Sequence, residues 1–399
     1  MKKIEELKAR QILDSRGNFT TEVLVITKDG KFKASSPSGT SVGKREAVEI
    51  RDKNGKVLSC VSNINEIIYP AIKDLNILDQ EKFDKKLIEL DKTENKSNLG
   101  ANSLLPVSIA VLKASAAHYN IPLYRHIQNL YNKKEGSFPL PCFNIINGGS
   151  HAGNNLDIQE FMVIPQKENY KENLEEGALI YQNLKKELVK KYGKGAINVG
   201  DEGGFSPPIL SSVHALDIIS SIIKKDTKIG LDCAASYFYK NKEYHLENNV
   251  FTRDGLLKFY LDLIKSYPIF SMEDPFEEED IEGFRALKKE AKKTLIIGDD
   301  LTVTNKSLIS FAAEEDLIGG VIIKPNQIGT VYETMEAIRE AKDKGLKIMI
   351  SHRSGETMDD FIADLSVGIS SDYIKTGAPA RGERVVKYNR LLEIYQEIN

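Results

Sequence analysis

Cysteine is scarce in this 399-residue sequence: Cys60, Cys142 and Cys233 are odd in number, widely separated, and form no C-x-x-C pair. That excludes a disulfide framework and a cysteine-rich zinc site, and buried free thiols are expected instead. Long apolar runs are also missing, and nothing nears the roughly 18 residues of a membrane span. The opening MKKIEELKAR alternates charge and lacks the apolar centre of a signal peptide, so a cytoplasmic location away from membranes is expected. Lys and Arg form no stripe or block and the formal net charge is -3, which argues against nucleic acid as a partner. The composition, 41% hydrophobic and 28% charged, is that of an ordinary folded soluble protein.

The first third reads as strands followed by helices. TEVLVIT (21–27) alternates apolar positions, and the Asp29-Gly30 turn signal before KFKAS predicts a hairpin within a small antiparallel sheet. SSPSGTSVG (35–43) is too polar for core and reads as a surface loop. From Asn63 to about Tyr119 the apolar spacing is helical, with Pro106 tolerated in an opening turn. A composition shift at NKKEGSFPLP (132–141) marks a boundary, giving an α+β domain over 1–134 and a second unit over 135–399.

In the second unit short apolar runs end repeatedly in a polar residue: NVGDE, KIGLD, IFSMED, LIIGD, VIIK, KIMISH and YIK. From Glu273 onward the run ends recur roughly every 25 residues, the length of one βα unit, which predicts a closed β/α (TIM-like) barrel with its site at the carboxyl ends of the strands. A doubly wound open sheet is the alternative, but its sites gather at one switch point.

Asp232, Glu273 and Asp299 stand at three such ends. Each alone would read as a helix cap. Three converging carboxylates need a cation, and hard oxygen ligands suit Mg²⁺ better than zinc or copper. Lys324 closes VIIK; with its pKa lowered by nearby cations and burial it would act as a general base, whereas in isolation it would read as a salt-bridge partner. Glu202, after NV and among glycines in GDEGGFSP, is the candidate acid, a carboxyl raised in pKa by a crowded acidic site. His151 lies in the glycine-rich loop NGGSHAGN, and Gln159-Glu160 opens the run FMVIP. His352, Arg353 and Ser354 precede an expected helix GETMDDFIADL, and an arginine fork, a hydroxyl and a helix amino terminus together make a phosphate grip. Lys375 adds a cation for a carboxylate, so a substrate carrying both phosphate and carboxylate is implied.

The stretches LDSRGN, NGGSHAGN, QEFM, GDEGGF, EDPF, GDDLTVTN, KPNQIGT, SHRSGET and KTGAPARGER, in this order, resemble the enolase family over nearly the whole chain. The resemblance implies a small α+β domain on a barrel whose early units depart from strict βα alternation. It also implies Mg²⁺-dependent interconversion of 2-phosphoglycerate and phosphoenolpyruvate in glycolysis and gluconeogenesis. Lys324 would be the base and Glu202 the acid, with Glu160 and His151 beside them. Asp232, Glu273 and Asp299 would hold one Mg²⁺ and Ser41 a second. Gln159, His352, Arg353, Ser354 and Lys375 would touch substrate. A homodimer is implied, with a larger oligomer as the alternative. Phe19 stands where the family usually has proline, Thr40 and Val42 alter its common loop, and Tyr237 replaces a frequent glutamate. Two rivals remain: a sugar-acid dehydratase or racemase of the wider superfamily, and a non-enzymatic protein that retains the fold.

Overall fold

The computed structural model describes residues 2–40, 43–132 and 138–399; Ser41, Val42 and the expected junction at 134/135 lie outside the described residues. Strands β1 (Glu6–Leu13), β2 (Phe19–Thr27) and β3 (Gly30–Ser35) form an antiparallel sheet in that order. The hairpin expected from the Asp29-Gly30 signal joins β2 to β3, with Thr27 opposite Gly30. Val23 and Val25 are buried while Leu24 and Ile26 are half-buried, so one face of the sheet is covered. The helix Ala101–His118 packs on that face and is buried almost all round.

Pro106 falls in the second turn of this helix, not in its opening turn as expected. Its missing N–H leaves the Asn102 carbonyl without an i+4 donor, and the buried Thr21 hydroxyl of β2 donates to that carbonyl instead. The hydrogen bond lost to proline is thus replaced from the sheet.

The second unit opens with β4 (Leu140–Asn147) and β5 (Glu160–Pro165), which pair antiparallel. Two helices, Tyr170–Tyr192 and Ser212–Ile222, precede β6 (Thr227–Asp232), also antiparallel to β5. A small antiparallel sheet of β7 (Tyr239–Lys240), β8 (Glu243–Leu246) and β9 (Asn249–Phe251) follows. Helix and strand then alternate through β10 (Ile269–Glu273), β11 (Leu295–Gly298), β12 (Gly320–Ile323), β13 (Lys347–Ser351) and β14 (Tyr373–Lys375). Strands β4, β5, β6 and β10 to β14 close into an eight-stranded barrel, with β14 paired parallel to β4. The expected barrel is therefore present, and β5 is its one reversed strand.

Alternation sorts barrel residues into two environments. Met162, Ile164, Ile297, Ile322 and Met349 form one cluster with Cys142, filling the barrel interior. Val321, Ile323, Ile348 and Ile350, their neighbours along β12 and β13, pack outward with Val23, Val25 and the Ala101–His118 helix. All three cysteines are buried and unpaired, as expected.

Two elements differ from expectation. NVGDE is not a barrel strand: Val199 makes only an isolated bridge with Phe205, and Phe205 bridges Ile146 of β4, so residues 198–205 fold over the end of β4 as a loop. Two apolar residues are too few to cross a barrel wall. The strand in that place is LPCFNIIN. The helix expected directly after SHRSGE begins only at Phe361, because Gly355 pairs with Ser38, its N–H and C=O each bonding across at 2.8 Å. That pairing holds the segment extended under the N-terminal unit.

Asp84 joins the two units. It accepts from Gln80 Nε2 at 3.1 Å, from Ser108 Oγ at 2.8 Å, and from the Tyr332 N–H at 2.8 Å at the start of the barrel helix Val331–Asp343. Burial, opposed in part by these donors, pushes its carboxyl up to about 7.

Two predictions concern stability. Thr21→Val should cost about 1–3 kcal/mol, because it strands the Asn102 carbonyl; adding Pro106→Ala should recover part of the loss, and equal costs in both backgrounds, read by denaturant titration, would refute the link. For Asp84, an acid raised on folding binds more protons native than unfolded, so its contribution falls as pH rises from about 4 to about 7. Asp84→Asn should flatten that part of the Tm profile, and an unchanged profile would contradict it.

Candidate active site

The carboxyl ends of the parallel strands open toward the N-terminal unit, and a small cavity there is lined by His151, Gln159, Glu160, Glu202, Asp232, Lys324, Ser351, His352, Arg353, Ser354 and Lys375. The reversal of β5 explains why Gln159 and Glu160, which precede an apolar run, lie at the same rim as residues that end one. Glu160 pairs in register with Asp232, the last residue of β6. Asp232 in turn lies beside Glu273, the last residue of β10.

Lys375 is the central cation. Its Nζ donates to Glu273 at 2.8 and 2.9 Å, to Asp232 at 3.1 Å and to Glu160 at 3.3 Å. Burial alone would lower this ammonium, but the three carboxylates hold it well above the ordinary lysine value. Lys324, just past β12, bonds to Asp299 just past β11, and Gln327 Nε2 donates to the other Asp299 oxygen at 2.9 Å. Burial would lower Lys324 too, as its sequence reading expects, yet the Asp299 carboxylate raises it above the ordinary value.

Asp232, Glu273 and Asp299 thus stand at neighbouring strand ends, buried, each bonded to a lysine. Among the described residues two groups instead bring their ligand atoms within 4.8 Å of one another: Asp274, Asp299 and Asp300, and His151, Glu160 and Glu202. The Asp274 oxygens accept from the Asp299 and Asp300 N–H groups at 2.9 and 2.7 Å, so Asp274 orients the Asp299 turn. The three strand-end acids suit a hard divalent ion. Asp232, Glu160 and Glu202 line the cavity with Lys324, Lys375 and Arg353, and three more acids bond to those cations: Asp299 to Lys324, Glu273 to Lys375 at 2.8 Å and Glu46 to Arg353 at 2.8 Å. A net negative cavity with oxygen donors is the setting such an ion requires.

On the opposite wall Glu202 Oε1 lies 3.5 Å from His151 Nδ1, and Oε2 lies 3.5 Å from His352 Nε2 and accepts from Asn144 Nδ2 at 2.8 Å. Burial opposes ionisation of Glu202, but His151, His352 and Arg384 outweigh it and hold the carboxyl well below the usual range, against the raised value expected. Glu160, beside it, carries the raised value, through burial first and the Glu202 charge second. His352 is lowered by burial to about 3 and is neutral near pH 7. Both ring nitrogens of the buried His151 lack a hydrogen-bond partner, as do both amide atoms of Asn147 and Nε2 of His352. Of these, His151 and His352 line the cavity, and unpaired buried polar atoms there mark a place for a polar ligand.

The segment SHRSGE is arranged differently from its sequence reading. Ser354 Oγ accepts from the Thr40 N–H at 2.8 Å, while Arg353 also reaches Asn326 Oδ1 at 3.2 Å. The helix amino terminus is not beside them, since that helix starts at Phe361. Gln159 Oε1 accepts from Ser150 Oγ at 2.7 Å. Ser41 lies outside the described residues. Asn144, Asp274, Gln327 and Arg384 are absent from the sequence-based set. Asn144 was legible as a polar residue inside the apolar run LPCFNIIN, and Arg384 lies in KTGAPARGER.

Family models cover both units: "Enolase, N-terminal domain" matches residues 4–127 and "Enolase, C-terminal TIM barrel domain" matches residues 135–399. A curated enolase from Methanocaldococcus jannaschii is 48% identical over 407 aligned residues, spanning 99% of this chain and 95% of that protein. With a closed barrel, a capping α+β unit and a relative this similar end to end, the chain belongs to the enolase family and is an enzyme of the lyase class.

Proposed function

We propose that the protein catalyses the Mg²⁺-dependent, reversible dehydration of 2-phosphoglycerate to phosphoenolpyruvate, as a cytoplasmic homodimer serving glycolysis and gluconeogenesis, with residues 1–134 and 135–399 as its two domains. One observation carries the reading: the same small cavity holds a lysine amine and a carboxyl bonded to different partners, together with a guanidinium, a hydroxyl and a second ammonium. A base, an acid, a phosphate grip and a carboxylate partner are the four groups this substrate needs.

Lys324 takes the proton from C2. Burial and the Arg353 and Lys375 charges favour its neutral amine, and only the neighbouring acids oppose it. Glu202, whose carboxyl the imidazoles and Arg384 hold low, takes up a proton as the anionic substrate comes to lie beside it and delivers that proton to the C3 hydroxyl, which leaves as water while the C2–C3 double bond forms. Glu160 and His151 complete that wall. Arg353 and Ser354 hold the phosphate, Lys375 faces the carboxylate, and Gln159 and His352 border the substrate. Asp232, Glu273 and Asp299 would hold the first Mg²⁺, and Ser41 a second; when bound, the ions stabilise the negative charge that develops on the substrate carboxylate. The phosphate grip favours this substrate over an unphosphorylated sugar acid.

Lys324→Ala should lower kcat at least about a hundredfold with its circular dichroism unchanged; wild-type rates of phosphoenolpyruvate formation would reject the base assignment. Treatment with a chelator should abolish turnover and added Mg²⁺ restore it, whereas full activity in a sample shown by elemental analysis to be ion-free would refute the metal reading.

A further inference from the structure

Arg384 is fully buried in the C-terminal helix Gly382–Ile398, and no part of the reaction outlined above uses it. Its Nη1 donates to His352 Nδ1 at 2.6 Å and to the Arg353 carbonyl at 2.6 Å. Its Nη2 donates to the Ser354 carbonyl at 2.6 Å and the Asp201 carbonyl at 3.0 Å. One guanidinium therefore ties the loop bearing Glu202 to the segment bearing Arg353 and Ser354. Gly377, at a φ of +80°, makes the room: a Cβ there would come within 2.6 Å of the Glu202 carbonyl, 2.9 Å of Arg384 Cδ and 3.1 Å of His352 Cε1.

A guanidinium only donates. His352 Nδ1 must therefore be the acceptor, and the neutral ring carries its proton on Nε2. That nitrogen faces Glu202 Oε2 at 3.5 Å, and the Asn144 amide N–H reaches the same oxygen at 2.8 Å. The Asn144 donor occupies Oε2, which His352 Nε2 also faces, so a proton carried by Glu202 is placed on Oε1, the oxygen that faces His151. The opposite tautomer would turn the lone pair of Nε2 toward Glu202 and offer the proton a destination other than the substrate. The charged and titratable groups that act on His352 are Glu202 from the 198–205 loop, Arg384 from the C-terminal helix and Lys375 from β14.

We propose that Arg384 is a positioning residue that locks His352 in its Nε2–H tautomer, so that Glu202 holds its transferable proton on Oε1 and passes it only to the substrate. The inference rests on the reading of Glu202 as the acid. Its first test does not: nitrogen-15 spectra of histidine-labelled wild-type protein, with the His352 signals identified by their loss in His352→Gln. A neutral ring protonated on Nε2 at pH 7 is expected, and an Nδ1–H ring or an imidazolium would overturn the proposal without any variant of Arg384.

The second test compares Arg384→Met with Arg384→Lys, whose ammonium can still donate to Nδ1. The methionine variant should lose the single tautomer and about tenfold or more in kcat, and the lysine variant should regain both in part. A fall in activity with the His352 signals unchanged would mean that Arg384 only braces the fold, and would overturn the proposal. Retention of kcat by Glu202→Gln would instead remove the acid reading, an outcome separable from the nitrogen spectra.

Discussion

The structure depends on the repulsion among carboxylates buried at one end of the barrel. At a separation of about 4 Å and an effective dielectric of about 20, two like charges cost roughly 4 kcal/mol, and desolvation adds several more for each ion. Glu160, Glu202, Asp232, Glu273 and Asp299 could not be buried together at one rim unless cations were built in among them. Lys375 offsets three of them with contacts of 2.8 to 3.3 Å. Lys324 offsets Asp299, and the buried imidazoles with Arg384 hold Glu202 ionised. The acids that remain in excess suit the site to a cation.

Placing those charges is the work of the fold. The barrel brings consecutive strand ends into neighbouring positions, which suffices for Asp232, Glu273, Asp299, Lys324 and Lys375. The reversal of β5 admits residues from the start of a strand, so Glu160 sits beside Asp232. The N-terminal unit closes the rim: Glu46 bonds Arg353, Thr40 bonds Ser354, and Ser38 pairs with Gly355. Each contact takes up a donor or acceptor that an extended segment would otherwise expose.

Much of this was legible in the chain. Short apolar runs ending in a charged residue at βα spacing read as barrel strands, because a strand buried on both faces must be continuously apolar and its first polar residue marks the rim. Six of the seven runs so identified, from KIGLD to YIK, are strands of the barrel. NVGDE failed because a polar residue after two apolar ones also ends a loop, and local pattern cannot separate the two. The order of motifs across the whole chain carried the family, since so many short matches in one sequence are mutually supporting.

The sequence by itself therefore determined the residue types at the site, the strands that bear most of them, and the sign of the charge there. Only the tertiary structure decided how that charge is distributed. Which carboxyl of the Glu160 and Glu202 pair is raised and which lowered depends on the imidazoles and guanidinium that three separate segments bring within a few ångströms. Arg384, far along the chain from Glu202, is one such group. Proton affinity in a buried site follows distance and solvent exclusion, and neither is written in the order of residues.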